Sequence, residues 1–157
     1  MMTAGIEDRL RRLEDEQDIL KTLYAYGHSI DYGLEADWLD CWCEDGVLHW
    51  PNREPIKGHA ALLEAFNKHT HAPQAFHKHI IVEPRIRFEG GAKAERATVE
   101  TYFARLDRYE SGPATRSMGR YRDKLERCAD GRWRFRERIA EREASRPGTP
   151  IGAHAPV

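Results

Sequence analysis

Four of the chain's eight histidines fall close together, at His69, His71, His77 and His79. Imidazole changes charge near neutral pH, with a reference pKa of about 6.5, so a histidine cluster is where proton transfer or metal binding would be sought. Histidines two apart on a strand point to one face, a spacing that would also suit a metal. No third ligand with recognisable spacing accompanies the His-x-His step, and His69 and His71 lie at a helix end before Pro73. The expectation is that no metal binds and that one strand histidine is catalytic, the others being surface or rim residues. A histidine base gains from a neighbouring carboxylate, which fixes the ring tautomer and stabilises the imidazolium formed on proton uptake. Asp31 closes a long apolar-faced helix and suits that role, although an ordinary helix-end polar residue has the same pattern.

Those groups need elements to hold them. Ile19, Leu23, Tyr26 and Ile30 recur at helical spacing, and Ile6, Leu10 and Leu13 extend the stripe toward the start. Gly33 stands where a helix C-terminus places a glycine. A short second helix is expected over 34–42, with Trp38, Leu39 and Trp42 on its apolar side. Asp45-Gly46 is a turn signal, after which 47–50 reads as a short strand and 51–55 as a loop. A third helix, from His59 to about His69, would bury Leu62, Leu63 and Phe66. From residue 76 the period changes to two, giving strand-like segments over 76–88, 94–109, 115–128 and 132–143. Helices followed by a long antiparallel sheet predict an α+β fold, about three N-terminal helices under a curved, cone-shaped sheet that encloses a pocket. Residues 1–144 would form that one domain, and 145–157, rich in Pro, Gly and Ala, a tail. Trp50, Tyr102, Phe103 and Tyr121 are candidate pocket-wall residues that read equally well as core aromatics.

Charge excludes some partners. The chain holds 25 basic and 26 acidic residues, a formal net charge of −1, so the broad positive field that nucleic acid requires is not expected. No apolar run approaches the roughly 20 residues of a membrane span. The charged N-terminal stretch lacks an apolar signal region. Cys41, Cys43 and Cys128 show neither zinc nor redox spacing, which predicts a reduced cytoplasmic setting.

Read in order, the segments "ILKTLYAYGHSID", "DWLDCWCEDGVLHW", "PIKGHAALLEAF", "HKHIIVEPRI" and "GRYRDKLERCADGRWRFRERI" resemble the SnoaL-like branch of the nuclear transport factor 2-like superfamily, from about Ile6 to Thr149. That branch includes scytalone dehydratase, bile acid 7α-dehydratase and hexachlorocyclohexane dehydrochlorinase. The resemblance implies a lyase, dehydratase-like and cofactor-independent, or an isomerase, acting on a small cyclic or aromatic substrate that is neutral or weakly acidic. It puts the family's helix aspartate on Asp31 and its strand histidine on His79, with His77 as the competing assignment. The family's usual asparagine four residues on is Glu83 here, a candidate substrate contact or an exposed rim residue. Tyr26, five residues before Asp31, matches a family tyrosine, although five residues is about 140° around a helix. Arg138 matches an arginine that assists the departing group, with Arg142 as the alternative. The resemblance also implies a homo-oligomer, trimer or dimer. The other reading is a non-catalytic binding or assembly module, like a ring-hydroxylating dioxygenase β subunit.

Overall fold

A computed structural model of the chain describes residues 5–91 and 93–152. Helix α1 (Ile6–Tyr32) buries Ile19, Leu23, Tyr26 and Ile30, each at most 2% exposed, as their spacing predicts. Ile6, Leu10 and Leu13 do not continue the buried stripe and stand in solvent. There the helix meets the domain by its polar side: Arg12 donates to the carbonyl of Gly91 (2.8 Å) and stacks 3.9 Å from the Phe88 ring centre. Gly33 ends the helix in the left-handed conformation, φ 71°, with its N–H on the Ser29 carbonyl.

Helix α2 (Glu35–Asp40) leads into β1 (Trp42–His49), then β2 (Ile56–Lys57) and α3 (Gly58–Lys68). The Asp45-Gly46 turn signal is absorbed into β1 instead of starting a strand. Pairing of β1 with the last strand jumps from Trp42↔Phe135 to Val47↔Glu137, so the signal marks a bulge. Gly46 is needed there for space, since a Cβ would lie 3.0 Å from the carbonyl oxygens of both Cys43 and Phe135.

Four long strands follow: β3 (His77–Glu89), β4 (Arg96–Tyr109), β5 (Gly112–Arg127) and β6 (Trp133–Ser145). The six-stranded sheet has the order β2-β1-β6-β5-β4-β3, with β1 and β6 parallel and all other neighbours antiparallel. It curves without closing, so β3 is an edge. The chain is thus α+β, with helices against the concave face. The tail keeps contact with the sheet: the N–H groups of Arg146 and Ile151 donate to the carbonyls of Arg116 (2.7 Å) and Arg108 (2.8 Å). The expected tail's last residues, 153–157, lie outside the described ones. No helix among the described residues is long and apolar enough to cross a membrane.

Specific polar bonds fix α1 on the sheet. Thr22 Oγ1 donates to the carbonyl of Trp133 (2.6 Å), and Asp15 accepts from Trp133 Nε1 (3.1 Å) and pairs with Arg127. Beneath Tyr26 lies a fully buried ion pair. Arg138 on β6 donates from Nε and Nη2 to the two oxygens of Asp123 on β5, each at 2.8 Å. Its guanidinium lies 4.0–4.2 Å from the ring centres of Tyr26, Tyr121 and Phe135. Such a pair is costly to desolvate as a whole and more costly to break, because the survivor is an uncompensated buried charge. Arg138→Ala or Asp123→Ala should each lose about 3–5 kcal/mol of stability, and an Arg138→Met/Asp123→Leu double variant should recover most of it. Denaturant titration decides: single variants within about 1 kcal/mol of wild type would mean the pair is not desolvated.

Candidate active site

Helix α1 brings Asp31 to the edge strand at the point where β3 starts. Its Oδ2 accepts the backbone N–H of His79 (2.9 Å) and its Oδ1 lies 2.6 Å from His79 Nδ1. An ionised carboxylate only accepts, so Nδ1 carries the proton and Nε2 is the free base. One carboxylate therefore fixes both the main chain and the ring of His79. Asp31 is 3% exposed. Burial alone would raise its carboxyl pKa, but the hydrogen bonds and charge of His79, together with His77, hold it below the usual carboxylate value.

His77 does not replace His79 in this pair. It faces the same way, as residues two apart on a strand must, and its Nε2 lies 3.3 Å from Asp31 Oδ1. That contact is not aligned as a hydrogen bond, and both ring nitrogens are buried without a partner. Burial, then the charges of Arg105, His79 and His69, push its pKa down to about 2, against the pull of Asp31. His69 is pushed down to about 3, again first by burial and then by His79 and Arg105. Its ring edge packs on His77 at 5.1 Å between centres. His71 has a structural task, with its ring nitrogens on the carbonyls of Ile30 (2.6 Å) and Phe66 (3.0 Å) at two helix ends.

Asp31, His77 and His79 have potential ligand atoms within 4.8 Å of one another, the grouping a metal would need. Two donors held about 2.0–2.1 Å from one tetrahedral ion lie about 3.3 Å apart. The 2.6 Å between Asp31 and His79 is shorter, a charge-assisted hydrogen-bond separation, whereas the 3.3 Å between Asp31 and His77 matches that spacing.

His79 opens onto a cavity of about 820 Å³ lined also by Tyr26, Trp50, His69, Phe103 and Tyr121. The volume falls in the usual range for small-molecule sites. Phe103 and Tyr121 stack at 4.6 Å to form one wall, and the Tyr26 ring stands edge-on to His79 at 6.5 Å. Burial raises the Tyr26 hydroxyl pKa, with Arg138 opposing, so the phenol remains a neutral donor. The angular separation of Tyr26 and Asp31 on α1 is not an obstacle: Tyr26 meets the cavity itself, while Asp31 meets it through His79.

Three sequence expectations are corrected here. Arg138 does not reach the cavity, because Asp123 and three aromatic rings enclose it; Arg142, two pleat repeats further along β6, lines the cavity instead. Glu83 is exposed and outside the cavity lining, because it occupies a bulge in β3 with φ 56°, where pairing skips from Val82↔Tyr102 to Arg85↔Glu100. Tyr102 is 61% exposed on the outer face, as alternation with buried Phe103 requires. Arg105, not singled out from sequence, also lines the cavity, as does His69 of the histidine cluster. Arg105 is paired across strands with His79, a register that strand periodicity alone does not reveal.

The comparisons agree with this architecture. At 24% identity and a TM-score of 0.74, the chain is similar to a nuclear transport factor 2-like protein with a cystatin-like fold from Novosphingobium aromaticivorans, over 83% of each chain. It is similar at 22% identity and a TM-score of 0.73 to a function-unknown protein from Mycobacterium tuberculosis, over 83% of this chain and 77% of that one. A third, provisionally described as a scytalone dehydratase from N. aromaticivorans, is 18% identical with a TM-score of 0.70, over 92% and 98% of the two chains. At these identities the shared property is the fold. No curated protein matches the sequence. The model of the SnoaL-like domain matches residues 11–139, most of the chain and every element from α1 to β6, and the chain belongs to that family.

Proposed function

We propose that this chain is a cofactor-independent lyase of the dehydratase type that works by general base catalysis on a small cyclic or aromatic substrate. The observation that carries the reading is the 2.6 Å contact of Asp31 with His79 at the wall of a cavity with an aromatic lining. In this reading His79 Nε2 takes a proton from a carbon next to an activating carbonyl, and Asp31 compensates the imidazolium charge. The hydroxyl of Tyr26 donates to the oxygen on which negative charge develops. The imidazolium then returns its proton to the departing hydroxyl, so one residue serves as base and acid. The same first step followed by reprotonation at a different carbon gives an isomerase. Arg138 supports the floor under Tyr26 and takes no direct part. The exposed Ile80, Val82, Tyr102 and Met118, which share the outer face of β3, β4 and β5, suit the homo-oligomer expected for this family.

Proton abstraction can be followed without knowing the leaving group. A panel of cyclic ketones with a β-hydroxyl is incubated in deuterated buffer, with exchange and elimination read by proton NMR. Wild-type protein should accelerate both for at least one member, and His79→Gln should lose about 10²–10⁴-fold of that rate. Full activity in His79→Gln would defeat the mechanism. Binding of panel members without exchange or elimination would favour the non-catalytic module.

Asp31→Asn removes the negative charge together with one of the two accepted hydrogen bonds. The amide oxygen can accept from either the backbone or the ring of His79 but not both, the NH2 group then faces the other N–H, and no negative charge is offered to the imidazolium. The turnover number should fall by about 10²-fold or more with KM nearly unchanged, because the lost interaction strengthens only as His79 becomes charged. An equal loss through KM alone would assign Asp31 to substrate binding.

A further inference from the structure

The chain as a whole is nearly neutral, yet its cavity is not. Six cationic side chains line it against two carboxylates, Glu54 and Glu64, and Glu64 is already paired with Lys68. The surplus is built into the wall beside the base. Pairing across the sheet aligns His79 on β3 with Arg105 on β4 and Ser117 on β5, and Ser117 with Ser145 on β6. Directly paired residues point to the same side of a sheet, with Cβ atoms about 4.5–5.5 Å apart, and all four line the cavity.

A bulge adds a second arginine to this row. Pairing of β4 with β5 steps from Arg105↔Ser117 to Leu106↔Thr115, which leaves Arg116 as the extra residue. Bulges re-aim side chains, and Arg116 joins the cavity lining. Arg105 Nε and Arg116 Nη1 lie 2.9 Å and 4.0 Å from the same oxygen of Asp107, itself only 4% exposed. One carboxylate thus serves two half-buried guanidinium groups. Nor does it satisfy them fully: Arg105 Nη2 donates to Asp107 Oδ1 (3.4 Å), while the buried Nε–H has no aligned acceptor. Arg142 and Arg146 add to the lining, and neither has a carboxylate within 4.0 Å among the described residues. Asp107 orients the pair, and the uncompensated charge faces the cavity.

We infer that the natural ligand of this cavity is an organic carboxylate, whose anionic group docks on Arg105 and Arg116 while its ring lies against Phe103 and Tyr121. Planar guanidinium forks match carboxylate geometry, and a half-buried, low-dielectric wall strengthens the pairing. Because Arg105 adjoins His79, the proton that is removed would sit only a few bonds from the carboxylate. This narrows the substrate from the neutral or weakly acidic molecule expected from sequence, and it rests on the reading of the cavity as the substrate site.

Binding of 2-naphthoate and of its neutral isostere 2-naphthamide, followed by titration calorimetry with tryptophan fluorescence as a second readout, tests the inference without any turnover. Wild-type protein should bind the carboxylate about tenfold or more tightly, as one or two charge-assisted hydrogen bonds would give. The preference should narrow as salt is raised. Arg116→Gln should weaken the carboxylate and leave the amide unchanged, and Arg105→Lys should do the same through loss of the fork. His79→Gln should retain the preference, so failure of the lyase mechanism leaves this result standing. Equal affinity of the two compounds for wild-type protein would overturn the inference, as would an Arg116→Gln variant that weakens both alike. Arg116 is partly exposed and Arg105→Lys keeps its charge beside Asp107, so neither test requires stranding a buried carboxylate.

Discussion

The architecture turns on the grip of one carboxylate on one residue. Asp31 accepts from the backbone and the ring of His79 at once, and each bond does a different job. The backbone bond joins the last turn of α1 to the first turn of an edge strand that has no other strand neighbour on that side. The ring bond sets the tautomer. A ring hydrogen bond alone could hold the imidazole while the strand drifted, and a backbone bond alone could hold the strand while the ring rotated. Together they convert the docking of α1 on the sheet into the orientation of the His79 ring. Everything that seats α1, from Thr22 on the Trp133 carbonyl to Asp15 on its indole, thereby acts on the site from a distance.

Much of the scaffold could be read in the sequence because its signals are local. The apolar stripe of α1, the change of period at residue 76 and the glycine at the end of α1 all depend on neighbours a few residues away. What could not be read was set by pairing across the sheet. Arg138 and Arg142 have the same parity on β6 and identical chemistry, and their fates differ because one meets Asp123 and a nest of rings while the other lies near the cavity mouth. Glu83 and Arg116 each sit at a bulge, and a bulge is a disagreement between two strands that neither strand's own pattern contains. The partnership of His79 with Arg105 is a matter of register as well. His77 and His79 face one way on a strand, so spacing could not separate them; it is the position of Asp31 that does.

The polar groups form two tiers, separated by the aromatic floor. Below it, Arg138 and Asp123 balance one another's charge and stack under Tyr26 and Tyr121, with Arg138 Nη1 buried and unpartnered. A closed pair of this kind offers nothing to a ligand, and its geometric demand fixes where the rings above it lie. On the cavity side, Arg105 and Arg116 share Asp107 and retain charge and donors. The contrast is one of stoichiometry: one cation to one anion leaves no net charge, and two cations to one anion leave a positive charge at the cavity wall.

That positive wall also bears on the histidines. Three imidazoles in contact could accept several protons between them, which would spread the influence of Asp31 over a cluster and blur the identity of the base. Burial, aided by Arg105, instead holds His69 and His77 neutral far below physiological pH. The negative charge of Asp31 is thus left to the one imidazole to which it is hydrogen-bonded, and that ring lines the cavity. A cluster that looked in sequence like several equivalent histidines is organised so that Asp31 is hydrogen-bonded to one of them, next to a wall that carries Arg105 and Arg116.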